Sequence, residues 1–140
     1  HISYILAAVI SLTAAFSCSK SEMEPSVSET DVFTASGIVH VDDANSANPP
    51  TIRGIRVVMS SYDIHDILKL RPIEKDTTYT DKLGRYESSL ELRRNRYYDI
   101  LAEDIDGKEN GGEFESYLMD KIYPGKHSRL ENILLYMKRK

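Results

Sequence analysis

From Val32 onward the chain runs in short segments whose apolar residues recur at every second position, the spacing that gathers them on one face of a strand. Residues 86–93 show it best. Tyr86, Ser88, Leu90 and Leu92 alternate with Glu87, Ser89, Glu91 and Arg93, which predicts one covered and one wet face. In residues 52–60, Ile55, Val57 and Met59 share a face; Arg56 and Ser60 take the other, where Val58 implies partial cover. In residues 98–103, Tyr98, Ile100 and Ala102 point inward while Asp99 and Glu103 point out. Residues 37–41 predict a first strand, the β-branched and aromatic 77–80 another, and 130–137 the last. Helical periodicity is too weak to supply the crossover helices of an α/β fold. The expectation is all-β: a small Greek-key β-sandwich of about seven strands.

Turn chemistry separates these runs. The prolines and asparagines of 42–50 keep that stretch out of any strand interior. In Asp81-Lys82-Leu83-Gly84-Arg85-Tyr86 the aspartate can accept bonds from nearby amides, and the glycine can adopt the left-handed conformation that closes a hairpin turn. Residues 63–72 read two ways: Ile64, Ile67, Leu68 and Leu70 fit one helical turn or a strand ending before Pro72.

The start of the chain reads as an address. Residues 2–16 hold no charged side chain and would span about 22 Å as a helix. That is short of the roughly 30 Å hydrocarbon core and suits the apolar region of a signal peptide. Ala15-Phe16-Ser17-Cys18 follows and looks like a bacterial lipobox, in which small residues precede a cysteine that is lipidated before cleavage. Cys18 is the one cysteine among 140 residues, so no internal disulfide can form. The expected organisation is a lipoprotein signal peptide over 1–17, a flexible tether over 18–31 and a single β-sandwich domain over 32–140. A net charge of −4 argues against nucleic acid as a partner and against general adhesion to anionic membranes.

Gly37, Val39, Gly54, Ile55, Val57, Thr80, Asp81, Gly84, Tyr86 and Tyr98, in this order, resemble the landmarks of carboxypeptidase regulatory-like and transthyretin-like (prealbumin-like) domains. The loop 104–114, together with Cys18, is similar to the radical SAM-associated lipoproteins, small proteins of Gram-negative bacteria. That resemblance implies a lipid anchor at the outer membrane, periplasmic or surface-exposed, and a radical SAM enzyme as partner. The family describes a genetic neighbourhood and implies no activity.

Three groups of side chains are candidates for chemistry. Asp104, Asp106 and Glu109 set oxygen ligands around Gly107 in a loop that could hold calcium, without the full spacing of an EF-hand; a solvated acidic loop whose glycines serve the turns is the simpler reading. Phe114, Tyr117 and Tyr123 fall in a late insertion, 107–126, where local packing of the insertion is the simpler reading and an exposed aromatic cluster would suit a protein or carbohydrate ligand. The histidines His40, His65 and His127 lie far apart and form no metal-binding spacing. No nucleophile elbow, phosphate loop or cofactor motif is present, and no cofactor is expected. The reading is a lipid-anchored binding or structural module without catalytic activity. The alternative is a calcium- or metal-dependent hydrolase on a transthyretin-like scaffold.

Overall fold

The computed structural model describes residues 31–140. Cys18, the signal-like segment and nearly all of the tether lie outside the described residues. Seven strands form: β1 (Val32–Val41), β2 (Arg56–Asp63), β3 (Glu74–Tyr79), β4 (Arg85–Glu91), β5 (Arg96–Glu103), β6 (Tyr117–Ile122) and β7 (Arg129–Met137). They make two sheets, one ordered β4-β1-β7 and the other β3-β2-β5-β6. Neighbours run antiparallel except β1 and β7, which are parallel. The fold is the small all-β sandwich expected.

The period-two residues close on each other as their spacing requires. Phe33, Ala35, Val39 and Val41 of β1 meet Val57 and Met59 of β2 and Tyr98, Ile100 and Ala102 of β5, all buried. The Phe33 and Tyr98 rings approach to 4.8 Å between the sheets. Each large apolar side chain so buried stabilises the fold by about 1.5–3 kcal/mol, so this interface is the main source of stability.

At four places the structure departs from the alternation. The second strand begins at Arg56, not at residue 52, because Gly54 takes a left-handed φ of 74°. Ile52 and Ile55 are buried all the same, held by Thr80: its Oγ1 donates to the Ile52 carbonyl (2.8 Å) and accepts from the Ile55 amide (2.9 Å). Residues 64–73 are neither helix nor strand but a succession of turns. The supposed insertion 107–126 contains β6, hidden in the sequence because a register shift and the positive φ of Lys121 break its alternation. The Asp81–Gly84 turn forms as read, yet it closes no hairpin. It carries the chain from β3 in one sheet to β4 in the other, a corner between layers.

The register places the loops. Val32 lies opposite Glu91, Asp63 opposite Arg96, Tyr98 opposite Ile122 and Thr34 beside Arg129. The entry to β1, the 64–73 loop, the 92–95 turn and the 123–128 loop therefore share one end of the sandwich. The 104–116 loop and the C-terminus share the other, where Phe114 bridges Arg139.

Candidate functional site

The outer face of the four-stranded sheet forms a groove of about 470 Å³. Its walls are the residues that alternate with the core. Arg56, Val58, Ser60 and Tyr62 come from β2, Lys75, Thr77 and Tyr79 from β3, Asp99, Leu101 and Glu103 from β5, and Leu118 from β6. Ser60, Tyr62 and Asp99 are buried and make the floor, while Tyr79 stands half-exposed on the rim. Arg56 closes one side through Nη2 to Oε1 of Glu103 at 2.9 Å. Hydroxyls, an exposed phenol and charged groups of both signs, with Val58, Leu101 and Leu118 among them, suit a polar ligand with a flat face.

Asp99 corrects the sequence reading, which turned it out to water. The 64–73 loop folds back over it, and Lys69 donates from Nζ to its Oδ2 at 2.8 Å. The same ammonium pairs with Asp120 of β6. Burial lowers the Lys69 pKa, but the bonds from Asp120 and Asp99 outweigh it and hold the group above the ordinary lysine range. Beside this clamp Tyr62 stacks on Tyr97 at 5.3 Å, and Tyr97 meets Tyr123 at 5.9 Å. The Tyr97 hydroxyl donates to the Asp66 carbonyl at 2.7 Å, tying the loop to the sheet. Burial raises the Tyr62 pKa, with the Asp99 charge adding to it. Tyr97 and Tyr98 are both buried, so this end of β5 is covered on both faces; two consecutive tyrosines are the signal from which that could be read.

The predicted aromatic cluster does not assemble at the surface. Phe114 is buried in the core, and Tyr117 packs against that core half-buried; only Tyr123 stands exposed. The misplacement of Tyr117 follows from missing β6, since a strand gives its alternate residues an inner face; Phe114 precedes β6 and is held inward by its bridge to Arg139 and its amide bond to Asp104.

The acidic loop lies at the far end. Asp104 accepts from the Asp106 amide at 3.2 Å through Oδ1 and from the Phe114 amide at 3.0 Å through Oδ2. Asp106 accepts from Asn110 Nδ2 at 2.6 Å through Oδ2, while its Oδ1 is buried without a partner. Burial pushes the Asp104 carboxyl up and the Asp106 carboxyl reinforces this. Glu109 stays exposed. Among the described residues no three His, Cys, Asp or Glu side chains converge as metal ligands would, so the calcium set is not assembled. His40 is occupied otherwise, bonding the Pro49 carbonyl through Nδ1 at 3.1 Å and stacking on Tyr136. Asp81 and Gly84 form the local turn, though between sheets and not in a hairpin: Asp81 Oδ1 accepts from the Leu83 and Arg85 amides, both at 2.9 Å, and Gly84 has φ 78°. Cys18 lies outside the described residues.

No family model matches this chain, and no curated protein does. Among solved structures it is similar to the major plantain pollen allergen, at 16% identity over 78% of this chain and 94% of that one, with a TM-score of 0.46. It is also similar to part of a 9R-lipoxygenase from Cyanothece PCC8801, at 12% identity over 91% of this chain and 20% of that one, again with a TM-score of 0.46.

Proposed function

We propose that this chain is an exported, lipid-anchored binding module without catalytic activity, held in the cell envelope of a Gram-negative bacterium through Cys18. Its contact surface is the outer groove of the four-stranded sheet, and its ligand is a protein or a carbohydrate. The observation that carries this reading is the groove itself, a recess with a buried floor of Ser60, Tyr62 and Asp99 beneath an exposed Tyr79. The lipobox-like Ala15-Phe16-Ser17-Cys18 and the polar stretch after it support the anchor. A radical SAM enzyme is proposed as a partner on the family resemblance alone. The hydrolase alternative has less to stand on, because the Asp104 and Asp106 carboxylates bond amides and Asn110, and Glu109 does not join them.

Two measurements test the proposal. Labelled palmitate should enter the wild-type chain in a Gram-negative host and should not enter Cys18→Ala; label retained by the variant removes the anchor. The Cys18→Ala protein on peptide and glycan arrays should bind one class, and Tyr79→Ala should weaken that binding by about tenfold, the loss of about 1.4 kcal/mol. Binding that is indifferent to Tyr79→Ala and Lys75→Ala removes the groove.

A further inference from the structure

The end of the sandwich where β1 begins carries an apolar projection that no part of the described domain covers. Ile67, Leu68 and Leu70 are 68%, 72% and 73% exposed, three large aliphatic side chains within four residues. They are held out, not left loose. The Asp66 carboxylate accepts from the Leu70 amide at 3.0 Å and the Arg71 amide at 2.9 Å. Lys69 takes a left-handed φ of 56°, and its side chain turns in to Asp99 and Asp120 while its neighbours point away. Beside this tip lies a basic recess of about 390 Å³, lined by Arg93, Arg94, Arg96 and Lys126 around Tyr123.

We infer that this end docks on a lipid bilayer, with Ile67, Leu68 and Leu70 entering the acyl boundary and Arg94 and Lys126 resting among anionic headgroups. Three features favour a membrane as the occupant. Asp31 accepts from the Leu92 amide at 3.0 Å, so the chain enters the domain at this very end. From Cys18 to Asp31 the backbone reaches at most about 45 Å when extended and roughly 20 Å as a relaxed coil. Lipid at Cys18 would thus keep a bilayer within reach of these loops. Finally, an aliphatic tip bordered by a tyrosine and cations is the chemistry that partitions into an interface, apolar surface leaving water while positive charge meets phosphate. The inference rests on the lipid-anchor reading for its geometry, and its test separates the two.

The chain contains no tryptophan, so one introduced residue reports from one place. Leu68→Trp and, at the opposite end, Leu83→Trp are made in full-length Cys18→Ala protein; both positions are well exposed. Each is mixed with phosphatidylethanolamine–phosphatidylglycerol vesicles bearing brominated acyl chains. The reporter at position 68 is expected to shift to the blue and be quenched, and the one at 83 to keep its emission. Leu68→Ser with Leu70→Ser should weaken vesicle partitioning about tenfold or more. A reporter at 68 that stays in water on vesicle-bound protein overturns the inference, as does equal quenching at both positions. So does burial of position 68 by self-association without vesicles, which would assign the tip to a second copy. Palmitate entering Cys18 while position 68 stays wet would end this inference and leave the lipid-anchor reading standing.

Discussion

The Tyr86 hydroxyl donates a 3.0 Å hydrogen bond to the Ile133 carbonyl, reaching from β4 across β1 to β7. It crosses at Gly37, the residue opposite Tyr86 in the ladder. A Cβ on Gly37 would fall 1.7 Å from that same carbonyl oxygen, so only glycine lets β7 approach here, at the point where the register of β1 against β7 shifts. Two β-strand landmarks of the sequence thus serve one close backbone contact.

Removing that bond tests its weight. Tyr86→Phe should destabilise the domain by about 1–2 kcal/mol, because the Ile133 carbonyl loses its phenolic donor. Gly37→Ala should cost more, about 3 kcal/mol or beyond, since backbone and not a flexible side chain must move. Urea unfolding followed by circular dichroism checks both, and a Gly37→Ala protein as stable as wild type would contradict the geometry.

Ser61 points the other way. Its side chain is fully buried on the inner face of β2, and its hydroxyl bonds nothing. Ser61→Ala should leave stability unchanged or raise it by up to about 1 kcal/mol, as a polar group desolvated without return is removed.

Lys69 ties the 64–73 loop to the sheet. Lys69→Met should cost about 2–3 kcal/mol by leaving Asp99 buried without its cation, and Asp99→Asn in the same protein should recover part of that loss. A double-mutant cycle by thermal melting measures the coupling. The Lys69 pKa lies above its unfolded value of 10.5, so its contribution is complete below that pH and is lost as pH climbs through the folded value. The Lys69→Met protein should therefore lose less stability than wild type on strong alkalinisation.

Burial raises the pKa values of Tyr86 and Tyr98 above 10.0. The unfolded chain ionises these phenols first, so stability falls as pH rises past about 10. Absorbance at 295 nm should show Tyr86 and Tyr98 ionising only with cooperative unfolding. A smooth titration of all nine tyrosines in folded protein would refute their placement.

Asp81 sets the acid limb of the corner between the sheets. The Arg85 amide, and then the Leu83 amide, hold its carboxyl below the ordinary range. Its stabilisation is thus present above the unfolded pKa and lost as pH falls through the folded one. Asp81→Ala should lower the melting temperature at neutral pH and flatten its decline in acid; an unaltered acid limb would place the effect elsewhere.

Much of the fold was legible because burial in a strand has period two, and Val57, Met59, Tyr86, Leu90, Tyr98 and Ile100 obey it. Turn residues were legible too, since Asp81 and Gly84 act within a few bonds of themselves. The groove was not, because its floor depends on which strands lie side by side: β2 and β5 neighbour each other across more than thirty residues of sequence. Nor was the fate of Asp99, whose alternation says only that it leaves the core. Whether that face meets water is decided by a loop without periodicity, folded back from residues 64–73.

The amino-acid sequence by itself determined the class of fold and the layer each alternating side chain would seek, because those follow from local geometry and the cost of wetting apolar surface. Tertiary structure alone decided that the Asp81 corner joins two sheets, that Phe114 belongs to the core, and that Lys69 covers Asp99 while Ile67, Leu68 and Leu70 stand in water. Those outcomes depend on contacts between distant segments, and no spacing along the chain encodes which distant segments meet.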